Sequence, residues 1–259
     1  MLIQRRMIME KSKHVEWEVI NSIGILRLSN PPENYLAEPE FIDHGFIEDR
    51  ILNDKVKGII ICGAGRHFSG GANLDDLFLL ANNNEKMIAD MDKGKALLDY
   101  FEYLEIPVIA AIKGICFGAG LEIALATHLR VCSEKALFAF PESNYGLIPG
   151  LGGTTRLSEK ATFPQSLKMI LKGDMIDVNE AHDMNIADYI VPDQEVFDFS
   201  LSLLKRMTED RSLKVIHYVM RALMNTKHLT LSEAMKEETR MFCELAAEEA
   251  ERRTENQDQ

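Results

Sequence analysis

Residues 140–157 of this chain read F-P-E-S-N-Y-G-L-I-P-G-L-G-G-T-T-R-L, a glycine-rich loop that gives way to a predicted helix. Glycine has no Cβ, so it lets the backbone come close to a neighbouring group. Taken alone, the loop therefore predicts only that its backbone lies close to a neighbouring group, which it does not identify. The Pro141-Glu142 pair at its start is also common before ordinary turns, and by itself it gives Glu142 no role.

A second glycine-bearing segment lies upstream, where residues 114–126 read G-I-C-F-G-A-G-L-E-I-A-L-A. Small residues lead into a predicted helix over 119–127, whose first N–H groups can face an anion. Glu122 lies among apolar residues, where a carboxylate is costly unless it is paired, hydrogen-bonded or functional. Stabilisation of the helix N-terminus is the alternative for Glu122. Two common nucleotide-binding glycine motifs are absent. Residues 118–123 lack the third small residue of G-x-G-x-x-G, and no G-x-x-x-x-G-K-[ST] occurs.

A third segment, residues 68–74, reads F-S-G-G-A-N-L and follows a predicted strand. Paired glycines at such a place leave backbone N–H groups free to donate to a ligand, although a plain tight turn is the alternative. Ser69 does not stand in G-x-S-x-G, and no order of serine, histidine and acid is readable. A serine hydrolase is therefore unsupported.

Buried strands and helices alternate through the first part of the chain, which predicts an α/β fold. A core at 1–195 is followed by a helical C-terminal region at 196–259, and both belong to one structural unit. The predicted strands are a hairpin at 15–28 and buried runs at 56–62, 106–112 and 129–132. The predicted helices lie at 38–53, 86–104 and 119–127, and then, from about 163 onward, at 177–185, 196–208, 211–224 and 231–251, with a frayed polar end.

Composition excludes several classes of function. A net charge of -12 argues against a protein that binds the nucleic-acid backbone. The cysteines Cys62, Cys116, Cys132 and Cys243 show no zinc-binding spacing, so we expect no metal and a reduced, cytoplasmic protein. Residues 1–13 contain no apolar run of signal-peptide length, and no run in the chain is long enough to span a bilayer.

Together, these segments resemble the enoyl-CoA hydratase/isomerase (crotonase) family, in the same order from about residue 15 to residue 250. F-x-x-G-x-(D/N)-L is matched at 68–74, and G-G-G-x-E-(L/I)-A at 118–124 with Ala119 as the central residue. The stretch at 141–157 matches P-E-x-x-x-G-x-x-P-G-x-G-G-T-x-R-L almost throughout. The resemblance implies a crotonase-like core of repeated β-β-α units and a helical C-terminal trimerisation part, assembled as a homotrimer or hexamer.

The resemblance also implies a hydro-lyase that acts on an acyl thioester. Glu122 and Glu142 fall where family hydratases keep their paired acid/base glutamates, and two such groups suit the addition or removal of water. Gly70 and Ala119 fall where backbone N–H groups form the oxyanion hole, which stabilises charge on the thioester oxygen. No cofactor is implied beyond the pantetheine that carries the substrate, as coenzyme A or on an acyl carrier protein.

Two departures from the family pattern narrow the expected substrate. Asn73 replaces the usual aspartate, and the C-terminal E-K-R-x-P-x-F-like pattern is missing. The combination resembles the hydratase-like dehydratases of bacterial polyketide β-branching (bacillaene-type antibiotic pathways). These dehydrate a carrier-bound 3-hydroxy-3-methylglutaryl group to 3-methylglutaconyl. A cation of this chain would have to bind the free carboxylate of the 3-hydroxy-3-methylglutaryl group. The candidates are Arg66, Lys86 and Lys93.

Two other functions remain open on the sequence alone. One is a general enoyl-CoA hydratase of acyl-CoA metabolism, and the other is a non-catalytic binding protein that keeps the crotonase fold. An isomerase needs only one acid/base group, whereas this chain has both glutamates. The sequence leaves undecided the acyl group, the carrier, the stereochemistry and direction, the acid and the base within the pair, and trimer against hexamer.

Overall fold

A computed structural model describes residues 7–10 and 14–257 of the chain. Its main sheet has seven strands, in the order β1-β2-β3-β4-β5-β7-β10, and a smaller sheet has three, in the order β6-β8-β9. The strands are β1 (Met7–Glu10), β2 (Val15–Ile20), β3 (Ile23–Leu28), β4 (Gly58–Gly63), β5 (Val108–Ile112), β6 (Ile115–Phe117), β7 (Leu129–Ser133), β8 (Leu137–Ala139), β9 (Ile176–Asp177) and β10 (Tyr189–Val191).

Ten helices surround these sheets in the described part of the chain. They are α1 (His44–Asn53), α2 (Leu74–Leu80), α3 (Asn84–Glu102), α4 (Ala119–Leu125), α5 (Gly153–Lys160), α6 (Phe163–Lys172), α7 (Val178–Asp183), α8 (Val196–Thr208), α9 (Leu213–Asn225) and α10 (Leu231–Gln257). Short 3-10 turns also occur at Pro141–Tyr145 and Asp193–Glu195.

The main sheet forms where the sequence predicts buried strands. β2 and β3 pair as an antiparallel hairpin, and Asn21 and Ser22 turn the chain at positive φ. From β3 to β10 the pairing is parallel. β4 is apolar throughout because both faces are covered: Ile59 packs in the larger core under α1 and α3, whereas Ile60 packs in a second core under α8. The predicted α/β fold is confirmed.

The smaller sheet was not predicted. No strand was predicted between the buried runs at 106–112 and 129–132, but β6 lies there, between Gly114 and Gly118, which both have positive φ. β6 pairs with β8 in parallel, so that Phe117 lies opposite Ala139. Strands of two or three residues between glycine turns carry too little periodicity to be recognised. Their pairing brings the start of α4 next to the Pro141–Tyr145 turn.

Several boundaries also differ from the prediction. α1 begins at His44 rather than near 38, because the Asp43 side chain caps it by accepting from the Phe46 N–H. α2 was not predicted, and β9 and β10 interrupt the stretch from 163 that was expected to be helical. α10 continues as a helix to Gln257, so the polar end is not frayed within the described residues.

The sequence also predicts that a membrane span, a metal site and a signal peptide are absent. Within residues 7–10 and 14–257 no helix has the length and apolar character needed to cross a membrane. The same residues contain no group of three or more His, Cys, Asp or Glu arranged to hold a metal ion. Residues 1–6 and 11–13, on which the signal-peptide expectation mainly rests, lie outside the described part. Cys62, Cys116 and Cys132 are buried, and Cys243 is exposed.

Gly24 offers a test of the packing of the hairpin. A Cβ at Gly24 would overlap the indole of Trp17, which is buried and donates from Nε1 to Asp54 Oδ2 at 3.0 Å. We expect Gly24→Ala to lower the free energy of unfolding by about 1–3 kcal/mol in urea denaturation, because the indole must move.

Gly45→Ala is the matched control for this substitution. Gly45 lies in the first turn of α1, where the nearest atom to a new Cβ is Asp43 Oδ1 at 3.4 Å. The control should leave stability unchanged or raise it by up to about 1 kcal/mol, because alanine favours the helix. Equal losses for the two variants would contradict the packing described for Trp17.

Candidate active site

Gly118 turns the chain from β6 into α4 and so places Glu122. It has φ 49° and ψ -124°, a conformation that residues with a Cβ rarely adopt. A Cβ at Gly118 would also lie 2.9 Å from Glu142 Oε1. Glycine therefore makes the turn possible and leaves room for the second glutamate. Glu122 follows on the first turn of α4 and is only 2% exposed.

The glycine-rich loop encloses the carboxylate of Glu122. Glu122 Oε1 accepts hydrogen bonds from the N–H groups of Leu151 and Gly153, each at 2.7 Å. A Cβ at Gly153 would lie 2.9 Å from the same oxygen, so the approach requires glycine. Burial raises the pKa of Glu122, while these N–H groups, that of Gly150 and the charge of Arg156 oppose the rise. The N–H groups thus take over part of the solvation of the carboxylate.

Glu142 differs from Glu122 in its hydrogen bonding. It lies in the 3-10 turn Pro141–Tyr145, and its Oε2 is buried without a hydrogen-bond partner in the described structure. Burial, and secondly the charge of Glu122, raise the pKa of Glu142 to about 7, against its own backbone N–H. An unpartnered buried oxygen costs about 1–3 kcal/mol, so such atoms are typical of places where a ligand atom binds. The two acids form a pair of titrating groups with distinct surroundings.

The two predicted oxyanion donors lie on adjacent segments. Ala119 is the first residue of α4, so its N–H has no carbonyl one turn earlier within the helix. A Cβ at Gly71 would lie 3.3 Å from the Ala119 nitrogen. The Gly70 N–H, however, donates to the Glu33 carbonyl at 2.7 Å. The expectation that Gly70 presents a free N–H is therefore not met in this structure.

The segment around Asn34 explains why this donor is engaged. The Asn34 amide donates to the carbonyls of Ala64 and His67 at 2.9 and 2.8 Å. The Ser69 hydroxyl donates to the Asn34 carbonyl at 2.8 Å. These bonds fix residues 33–35 along the loop that contains Gly70. They are contacts between segments distant in sequence, so the sequence carried no signal for them.

Comparison with known proteins supports the motif assignments. The enoyl-CoA hydratase/isomerase family model matches residues 18–257. The chain belongs to the enoyl-CoA hydratase/isomerase family. It is 31% identical over 224 residues to a probable enoyl-CoA hydratase of Bacillus subtilis (strain 168), with 86% of each chain covered.

Two further relatives define the extent of the similarity. A glyoxysomal fatty acid beta-oxidation multifunctional protein of Cucumis sativus is 33% identical over 192 residues, which are 72% of this chain and 26% of that protein. The chain thus spans about a quarter of that relative. A crystal structure of an enoyl-CoA hydratase from Polaromonas sp. JS666 has a TM-score of 0.82 at 23% identity, covering 89% and 90% of the two chains. The crotonase-like fold is confirmed.

Asn73 departs from the aspartate common at this position of the enoyl-CoA hydratase/isomerase family. Its side-chain oxygen caps α2 by accepting from the N–H groups of Asp75 and Asp76 at 3.0 and 3.3 Å. The amide therefore keeps the capping function without adding a negative charge.

Three cations were predicted as partners of a distal substrate carboxylate. Arg66, Lys86 and Lys93 are all exposed. Lys93 Nζ lies 3.6 Å from Asp90 Oδ1. The structure brings none of the three cations into a described contact with the two glutamates. Their binding role remains a prediction from the resemblance to a branch of this family.

Arg156 is a site residue that the sequence analysis matched only as one letter of a family motif. It is 7% exposed, and its guanidinium contacts Asp99, Glu102 and the Leu151 carbonyl. Burial of an arginine could have been suspected from the apolar neighbourhood of the motif. Its two acidic partners, both on α3, carry no sequence signal of their own.

The raised pKa of Glu142 predicts a stability effect that depends on pH. The unfolded chain releases this proton near the ordinary value of 4.5, whereas the folded chain holds it to about 7. The free energy of unfolding should therefore fall as the pH rises from about 4.5 to about 7, and Glu142→Gln should remove this loss. Allowing for the solvent that reaches Glu142, we expect the variant to be more stable than the wild type by about 2 kcal/mol at about pH 8.5 in urea denaturation, relative to their difference at about pH 4.5.

Glu251→Gln, an exposed change on α10, is the control. Its stability relative to the wild type at the two pH values gives the baseline for an exposed Glu→Gln change. A constant difference between Glu142→Gln and the wild type at both pH values would show that Glu142 ionises normally.

Proposed function

We propose that this protein is a hydro-lyase that removes water from a 3-hydroxyacyl thioester or adds water to the enoyl product. The observation that carries this proposal is the pair of carboxylates at Glu122, which is buried, and Glu142, which is half-buried. Glu122 is held by backbone N–H groups, and Glu142 has an unpartnered oxygen and a pKa of about 7. Water elimination needs one group that accepts a proton and one that donates a proton, in a site shielded from bulk water.

In dehydration, the α-carbon loses a proton to the carboxylate that acts as base. The C–O bond to the hydroxyl breaks, the other carboxyl supplies its proton, and water leaves as the double bond forms. Hydration reverses these steps and exchanges the two roles. Glu142, with a pKa of about 7, can hold or release a proton near neutral pH and so suits either role.

Proton removal next to the thioester places negative charge on its carbonyl oxygen. The Ala119 N–H, at the start of α4, is the donor available to this oxygen. The Gly70 N–H becomes the second donor when the substrate oxygen replaces the Glu33 carbonyl as its acceptor. Substrate binding in this proposal therefore includes a displacement of residues 33–35.

For the substrate we propose 3-hydroxy-3-methylglutaryl carried on an acyl carrier protein, dehydrated to 3-methylglutaconyl in polyketide β-branching. The support is the resemblance to the β-branching dehydratases. Lys86 and Lys93 on α3 are exposed, but Lys93 is paired with Asp90, so the resemblance alone supports the carrier. A trimeric or hexameric assembly through the helical C-terminal region belongs to the same proposal.

A general enoyl-CoA hydratase is the second candidate. The similarity to the probable enoyl-CoA hydratase of Bacillus subtilis, which extends over 86% of both chains, favours it. It uses the same glutamate pair and the same oxyanion donors, and differs only in the carrier and the acyl group. The third candidate, a crotonase-fold binding protein, needs no acid/base pair.

The decisive assay measures dehydration of carrier-bound 3-hydroxy-3-methylglutaryl thioester beside hydration of crotonyl-CoA. We expect turnover of the carrier-bound substrate, and a loss of about 10²–10⁴-fold in kcat for Glu122→Gln and for Glu142→Gln. Glu251→Gln, which is exposed on α10, is the matched control and should retain activity.

Each other outcome selects a different conclusion. Efficient crotonyl-CoA hydration without turnover of the carrier-bound thioester would favour the general hydratase. Full activity of the double variant Glu122→Gln, Glu142→Gln would exclude the glutamate pair from the chemistry. Absence of turnover with either thioester would leave the binding protein as the better proposal.

A further inference from the structure

The loop that holds Glu122 is itself held by a buried arginine. Arg156 Nη1 donates to the Leu151 carbonyl at 2.8 Å, and the N–H of the same Leu151 donates to Glu122 Oε1 at 2.7 Å. Leu151 therefore connects the guanidinium to the carboxylate through its own backbone. A Cβ at Gly152, which has φ 95°, would lie 2.6 Å from Arg156 Nη1, so glycine makes this approach possible as well.

Two acids on α3 fix the guanidinium from the other side. Arg156 Nε donates to Glu102 Oε2 at 2.7 Å, and Nη2 donates to Asp99 Oδ1 at 2.5 Å. Such a buried charge is tolerated because each of the three guanidinium nitrogens donates a hydrogen bond. The pKa of Glu102 is lowered, because hydrogen bonds from Lys227 and Arg156 outweigh its burial. Glu102 therefore stays charged and keeps Arg156 in place.

The same carboxylate connects the loop to the C-terminal helical region. Glu102 Oε1 accepts from Lys227 Nζ at 2.8 Å, and Lys227 lies just after the C-cap of α9, Thr226. A chain of direct contacts thus runs from Lys227 through Glu102 and Arg156 to Leu151 and Glu122. It depends on geometry that a lysine at 156 could not reproduce, since lysine lacks the planar fork.

We propose that Arg156, held by Asp99 and Glu102, is a positioning residue that fixes the Leu151 backbone and thereby the carboxylate of Glu122. This inference deepens the proposed function and rests on it only for the kinetic part. The alternative is that Arg156 merely joins α3 to α5 and contributes stability alone. Turnover of the folded enzyme distinguishes the two, and Arg156→Lys, which keeps the charge but not the planar fork, separates positioning from the through-space effect of the charge on the Glu122 titration.

The charge of Arg156 gives the first readout. It helps to hold down the pKa of Glu122 against burial, so its removal should move the titration of Glu122 to higher pH. ¹³C NMR of protein labelled at the glutamate carboxyl carbon, with the Glu122 signal assigned by Glu122→Gln, measures this without any substrate. We expect an upward shift in Arg156→Gln and a smaller shift in Arg156→Lys, which keeps the charge.

Turnover gives the second readout. We expect Arg156→Gln to lower kcat by about 10–100-fold with KM changed less than about threefold, because a misplaced catalytic group affects the reaction more than binding. The ascending limb of the kcat/KM profile should move to higher pH with the titration of the pair. Arg156→Lys should restore the pH profile but only part of kcat.

Arg130→Lys is the matched control for the loss of a buried arginine. Arg130 is also buried, pairs with Asp188 at 2.6 Å, and donates to the carbonyls of Ile186 and Thr127. Its described contacts include none with the loop or with Glu122. It should lower stability without shifting the Glu122 titration. Should Arg156→Gln fail to fold, Asp99→Asn removes the charge of one of the two acids that hold the guanidinium, at a half-exposed position.

An Arg156→Gln protein that folds, titrates Glu122 as the wild type does and keeps its kcat would overturn the positioning role. The same result in Asp99→Asn would do so if Arg156→Gln were unfolded. Absence of all thioester turnover in the wild type would instead reject the proposed function. The NMR titration would then still decide whether Arg156 acts on Glu122.

Discussion

The structure depends on one hydrogen-bonded group, the carboxylate of Glu122 inside the glycine-rich loop. A charge at such depth is costly, and the Leu151 and Gly153 N–H groups at 2.7 Å replace part of the lost water. The loop reaches this geometry only because Gly153 has no Cβ and because Arg156 engages the carbonyl on the other face of Leu151. The stretch 140–157 is thus built around a residue that lies outside it.

The smaller sheet then brings the second carboxylate to the first. Because β6 and β8 run in parallel, the residues that follow them emerge side by side, and the Gly118 N–H donates to the Ala139 carbonyl at 3.0 Å. α4 begins on one side and the Pro141–Tyr145 turn on the other. Burial raises the pKa of both acids, and the charge of Glu122 adds to the rise at Glu142, whose pKa of about 7 reflects less compensation from N–H groups.

The sequence predicted the strands that are covered on both faces, because they appear as long apolar runs. It did not predict contacts between residues that are far apart in the chain. β4 and β5 were predicted because both of their faces are covered, whereas β6, β8 and β9 have too few residues to show a pattern. Family motifs located both glutamates, since their residue types are fixed by chemistry. The engagement of the Gly70 N–H and the acids that hold Arg156 depend on side chains far away in the chain, which no local pattern encodes.

The bond from Gly70 to the Glu33 carbonyl bears on how the proposed site would discriminate between substrate and transition state. Replacing one amide carbonyl by a thioester oxygen keeps the number of hydrogen bonds, so the exchange in the ground state gains little. An oxygen that carries developing negative charge is a stronger acceptor, by roughly a factor of two. The exchange therefore becomes favourable as the charge forms. On the proposed function, the resting contact would withhold binding energy from the substrate and release it for the transition state, which is where binding energy accelerates a reaction.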